Sequence, residues 1–326
     1  MERETKKIGL LSALAGVLSF SAAGCGPAAP PGSSLVVPVR TEPWKFGDVS
    51  GQKLSTRHYR IYTTTGNRGL LRNLPGFLES CREQYVLLTG LEKPPAQAKP
   101  MPVYLLATRP QWAVMTERVT GPRSELYLSI ENGGYAFAGV CVFWDLGHFA
   151  TFSVAAHEGV HQFLYHNLRD PIPAWAEEGL AVLSEGFNID GDAVSFTPER
   201  NTLRLADLRR ALSGRRRIPL RKLLASDAGD HVVGSAAASA EYYGQLWALM
   251  VFIRSEQSYR AGLERMVADA AGGKLRQALR IPPEMGTGRT YNRSVSVPVF
   301  QHYVHADLDR FEERFSEFAR KLAKLD

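Results

Sequence analysis

The 326-residue sequence predicts an α+β protein, with a mixed sheet in its first half and a mainly helical part after it. Three observations carry that expectation. Short β-branched and aromatic runs bounded by turn residues lie before Gly147, and apolar residues recur at helical spacing after it. A polar pentapeptide, His157-Glu158-Gly159-Val160-His161, interrupts the first of those later helices.

Residues 1–24 are expected to be an export signal. Arg3, Lys6 and Lys7 precede an uncharged run from Ile8 to Phe20, and small residues then lead to Cys25. That run is too short to span a bilayer. The stretch Ala22-Ala23-Gly24-Cys25 resembles a bacterial lipobox, which implies a lipid anchor at Cys25; Ala22 stands where leucine is usual. An ordinary secreted protein cleaved nearby is the alternative. Residues 25–41, rich in Pro, Gly, Ser and Ala, read as a flexible linker.

Residues 42–147 read as an α/β subdomain. The alternating stretch Lys53 to Thr65 predicts a strand, residues 69–88 a helix broken near Pro75, and Met101 to Thr108 another strand. Gln111 to Val119 predicts a short helix. Leu126 to Ile130 and Tyr135 to Trp144 predict two more strands, joined at Asn132-Gly133-Gly134. Residues 148–326 read as a mainly helical subdomain, with helices at 150–168, 174–183, 202–212, 238–254, 258–271 and 306–324. A small β-turn element falls around Asp190-Gly191-Asp192.

Charge and cysteine usage narrow the function classes. Net charge is +6, much of the excess lying between Arg204 and Lys222, including Arg215-Arg216-Arg217. Such a run is ordinarily a solvated face, and on an anchored protein it could touch anionic headgroups. An exported chain does not meet nucleic acid. Cys81 and Cys141 could form a disulfide or remain two buried thiols.

The pentapeptide carries the chemistry. On a helix its two histidines lie one turn apart on one face, so both imidazoles can bind a single Zn²⁺. The adjacent Glu158 can then act as general base toward a water molecule. Burying two histidines and a glutamate beside Val154, Val160 and Phe163 costs free energy unless they are paired or hold a metal. Gly159 is a poor helix residue that lets something approach the helix closely. A catalytic zinc needs a third protein ligand. Leu164 and Asn167 stand where a metzincin would have Gly and His.

Trp175-Ala176-Glu177-Glu178-Gly179-Leu180-Ala181 follows instead, and here the chain resembles the gluzincin metallopeptidases. The resemblance implies a thermolysin-like zincin fold, Glu178 as third zinc ligand, and a peptide or protein substrate. Glu177 is the alternative ligand by one position. Glu185, two turns after Glu178, is implied as a partner of a ligand histidine. The similarity is greatest to a peptidase-MA-like group of exported bacterial domains. Tyr243-Gly244-Gln245-Leu246-Trp247 matches a helix of that group, and the segment from His305 to Glu312 matches its last. Tyr243 is thereby implied as a catalytic oxyanion donor, with Tyr242 its alternative and His231 a second candidate. Glu131-Asn132 shares two letters with an amine-binding motif and reads chiefly as a turn. A catalytically silent zincin-fold lipoprotein, acting as a binding or scaffolding module, is the rival reading. Oligomeric state is not legible in the sequence.

Overall fold

The computed structural model describes residues 32–91, 99–214, 216–232, 236–282, 284–286 and 288–325. The export signal, Cys25 and Arg215 lie outside the described residues, as does the side chain of His231. The chain is α+β. The first half contains β1 (Ser33–Ser34), β2 (Arg40–Phe46), β3 (Val49–Ser55), β4 (Tyr59–Thr63), α1 (Arg68–Thr89), β5 (Met101–Leu106), α2 (Arg109–Thr120), α3 (Ser124–Leu128), β6 (Gly134–Phe137) and β7 (Val140–Trp144). Next come α4 (His148–Asn167), α5 (Ala174–Ser184), β8 (Phe187–Asp190), β9 (Ala193–Phe196), α6 (Thr202–Ser213) and α7 (Leu220–Ala225). The C-terminal part contains α8 (Ala228–Val232), α9 (Ala236–Ser255), α10 (Gln257–Gly272), α11 (Leu275–Ala278), α12 (Arg289–Tyr303) and α13 (Leu308–Ala323).

Six strands form one sheet in the order β2-β3-β4-β5-β7-β6. Its β4-β5-β7 run is parallel and the flanking pairs are antiparallel. Alternation sets the two faces: Tyr59, Ile61 and Thr63 of β4 are buried while Arg60 and Tyr62 are half-buried. The larger core packs Ile61, Val103, Leu105 and Phe143 against α1 and α4 and continues among the C-terminal helices. The opposite face buries Leu106, Val142 and Trp144 under Trp112 and Met115 of α2 and Tyr127 of α3. Helix α4 therefore lies directly against β6 and β7, with α5 beside it.

Several local expectations are corrected. Leu126 to Ile130 is not a strand, because α3 occupies most of it; the Arg109 guanidinium donates to the Leu128 and Ile130 carbonyls and so caps the short helix. A five-residue apolar run does not distinguish the two states. Tyr135 to Trp144 is a hairpin rather than one strand. It turns at Ala138 and Gly139, both with positive φ, and an Ala-Gly turn is a weak sequence signal. The strand expected over Lys53 to Thr65 is likewise divided between β3 and β4. Helix α12 had no helical signal, since its Ser-Val-Ser-Val-Pro-Val run alternates like a strand; burial of Tyr291, Val295, Val299 and Phe300 overrides propensity. Helix α1 runs through Pro75 without ending.

The linker reading over 25–41 also fails from residue 33 onward. Ser33 and Ser34 pair with β9, and Leu35 is 1% exposed. The Leu35 carbonyl rests on Gly76 of α1, where a Cβ would collide with it. A Pro-Gly pair inside a helix costs about 4 kcal/mol in propensity. Here it makes the depression that the strap fills, and strand β2 begins before the expected boundary.

Candidate metal centre

The site is built on two helices that meet at their buried faces. His157, Glu158 and His161 lie in α4, and Glu178 lies in α5; their exposures are 0%, 0%, 5% and 4%. Helix α4 is held in place at the turn before its first histidine. The Ala156 carbonyl accepts from the Tyr85 hydroxyl at 2.9 Å and from the Ser184 hydroxyl at 2.8 Å. The same Tyr85 hydroxyl occupies the space that a Cβ at Gly159 would fill. That contact accounts for a glycine inside the pentapeptide.

Ligand-capable atoms of His157, His161 and Glu178 all lie within 4.8 Å of one another. Glu178 Oε2 is 3.5 Å from His157 Nε2 and 3.8 Å from His161 Nε2. All three of these atoms are buried without a hydrogen-bond partner, as are both Glu158 carboxylate oxygens. Native interiors leave few polar groups in that condition, and a bound ion is one accepted way of satisfying them. Two imidazole nitrogens and one carboxylate oxygen form a donor set that fits a metal ion.

The far side of each imidazole is also held. His157 Nδ1 is 2.7 Å from Glu185 Oε1, and His161 Nδ1 is 3.1 Å from Glu177 Oε1. Each acidic partner favours a proton on Nδ1 and leaves Nε2 directed at the centre. Glu177, the alternative ligand, thus lies behind His161, and Glu185 stands where the resemblance expected it. Arg204 of α6 grips Glu185 through two bonds, 2.7 Å from Nε to Oε2 and 2.9 Å from Nη2 to Oε1, and also binds Asp207 at 3.1 Å.

A family model described as "Protein of unknown function (DUF1570)" matches residues 151–269. No curated protein and no solved structure matches the chain. The matched stretch begins inside α4 and ends inside α10, so it contains all four central residues, Glu185, Arg204 and Tyr243.

Tyr243 of α9, distant in sequence, is brought against the centre. Its ring stands edge-on to His157, with centroids 5.8 Å apart, and the Arg204 guanidinium lies 5.1 Å from its ring centre. Burial and the nearby Glu178 carboxylate hold its hydroxyl well above the ordinary range. Tyr242 packs on Tyr243 at 5.3 Å. Glu131 and Asn132 are exposed ahead of β6, consistent with a turn.

The metal-free electrostatics are those of a confined acid–base cluster. Burial pushes Glu158 up to about 7, against the pull of His157 and His161; Glu178 adds to the rise, and the Ala136 amide on β6 opposes it. For His157, burial favours the neutral ring, but the neighbouring Glu178 and Glu185 outweigh it and push the value up to about 10. His161 is raised as well, its burial outweighed by Glu178 and Glu177.

Arg204 and the role of Glu177 were not legible in the sequence. Arg204 opens the basic run whose sequence reads as a solvated face, yet it is 4% exposed. Others of that run form internal ties: Arg210 to Asp207, Arg216 to Glu241, Arg217 to Glu312, and Arg209 Nε to the Ala323 carbonyl. Cys81 and Cys141 are both free and buried. No helix among the described residues is long and apolar enough to cross a membrane.

Proposed function

We propose that the protein is a zinc-dependent peptidase of gluzincin type, with a zincin fold, exported and held at the cell envelope by a lipid on Cys25. The observation that carries the enzymatic reading is the convergence of three buried, unpartnered ligand atoms beside a fourth buried carboxylate. His157, His161 and Glu178 would hold the ion. Zinc bound there would supply Lewis acidity and acidify a water molecule.

The chain's own groups do the rest. Glu158 takes a proton from the attacking water and passes it to the leaving amine. Glu185 and Glu177 keep the imidazoles aimed, with Arg204 holding Glu185 charged. Strand β6 is an edge strand. Its turn-closing pair is Phe137 and Val140, so the next pair, Ala136 and Cys141, is of the non-hydrogen-bonded kind. The Ala136 N–H and C=O therefore point off the sheet; the N–H faces Glu158, and the C=O can accept from an extended peptide lying along the edge. Tyr243, kept protonated by burial, donates to the oxyanion that develops as the scissile carbonyl is attacked.

Two measurements test this reading. Elemental analysis of the purified protein is expected to give about one zinc per chain, and a peptide-library screen to give cleavage that a chelator abolishes. Absence of metal after incubation with zinc at neutral pH would overturn it. Metal without cleavage would favour the scaffolding role. Tyr243→Phe is expected to lower kcat about 10²-fold with zinc content unchanged; an unchanged kcat would remove the tyrosine from the mechanism.

A further inference from the structure

The metal ligands come from two helices, so their spacing depends on the six residues, Leu168 to Pro173, that connect α4 to α5. That connector is held almost entirely by the C-terminal helices. The Arg169 and Asp170 amides both donate to the Ala270 carbonyl of α10, at 3.0 Å each, and the Arg276 amide of α11 donates to Asp170 at 3.1 Å. On α12, the Tyr291 hydroxyl donates to the Pro171 carbonyl at 2.8 Å, and the Phe300 ring packs on Trp175 at 5.4 Å.

Asn292 is the centre of this clamp. It is 1% exposed, and its amide group uses its full bonding capacity. Oδ1 accepts from the Ala174 amide at 2.8 Å and from the Ser296 hydroxyl at 2.8 Å. Nδ2 donates to the Ala225 and Ser226 carbonyls, each at 3.1 Å, which ties in the end of α7. Ala174 is the first residue of α5, and its amide is one of the donors that a helix start leaves unpaired. The residue before it, Pro173, offers no side-chain cap. Asn292 supplies that cap from 118 residues away, and Glu178 sits one helical turn beyond it.

We infer that Asn292 is a positioning residue for the third metal ligand: it caps α5 from α12 and so sets where Glu178 stands relative to His157 and His161. The inference rests on the metal reading above. It also extends the functional unit beyond residues 151–269, since α12 lies outside the matched region.

The test is metal affinity and geometry rather than turnover. Wild type, Asn292→Leu and the milder Tyr291→Phe are titrated with zinc against a competing chelator, and the visible spectrum of each cobalt-loaded protein is recorded. Phe315→Leu, on α13 against Phe252, serves as a control that destabilises the fold elsewhere. Asn292→Leu is expected to weaken zinc binding about tenfold and to shift the cobalt bands. Tyr291→Phe is expected to do the same in smaller degree. The control should leave affinity and bands unchanged at temperatures where it is folded. If Asn292→Leu does not fold, Tyr291→Phe decides alone. Wild-type affinity and spectrum in the folded variants overturn the positioning role while leaving the metal reading intact. A wild type that binds neither ion overturns both.

Discussion

Glu158→Gln is expected to retain zinc and to lose peptide hydrolysis by roughly 10³-fold or more. The substitution conserves volume in a position that is fully buried, so packing of α4 against β6 and β7 should survive. It also replaces a carboxylate whose charged form burial disfavours with a neutral amide, a relief rather than a loss for the folded state. Stability should therefore rise or hold while activity collapses. That opposite movement separates a proton-transfer role from a structural one. Equal turnover in wild type and Glu158→Gln would show that catalysis, if present, uses another base.

The second large effect is a reversal in how stability responds to pH when metal is removed. In the metal-free protein Glu158 is raised to about 7 and His157 to about 10, and His161 is raised as well. Each group then binds protons more tightly folded than unfolded. For Glu158 the stabilisation is complete below its ordinary carboxylate range and is lost as pH rises through 7. For His157 it is complete below about 6.5 and is lost as pH rises towards 10. Thermal stability of the chelator-treated protein should accordingly fall between pH 5.5 and 8.5. Metal binding requires both imidazoles neutral and expels their protons, so the stabilisation by zinc should grow over the same interval. The gap in Tm between loaded and metal-free protein should widen by a few degrees per pH unit, each displaced proton being worth about 1.4 kcal/mol. Parallel curves would mean that zinc does not bind at these histidines.

What the sequence disclosed follows from how local each feature is. His157, Glu158 and His161 share one helix, and Glu178 and Glu185 the next, so helical spacing brings each group to one face. The mixed sheet and the later helices were readable because their periodicities differ. Arg204 was not, because a buried arginine has the same letter as the exposed arginines that follow it. Asn292 was not, because three of its four bonds run to residues far away in sequence. Helix α12 and the β6–β7 hairpin depend on tertiary burial and on an alanine at positive φ, neither of which leaves a strong local pattern. The linker was misjudged for a related reason: its composition is that of a spacer, and a single leucine, Leu35, fastens it to the body.

That fastening has a consequence for reach. With Cys25 acylated as proposed, only seven residues would lie between the lipidated cysteine and Ser33, where pairing with β9 begins. Even fully extended, such a segment covers roughly 28 Å. A free spacer ending at residue 41 would have covered about twice that distance and let the body tumble. A leash of that length would instead keep the attachment point on α1 and the β8–β9 hairpin within about 28 Å of the bilayer. Substrates within range would be those that come to the membrane surface, selected by height above the lipid before any side chain inspects them.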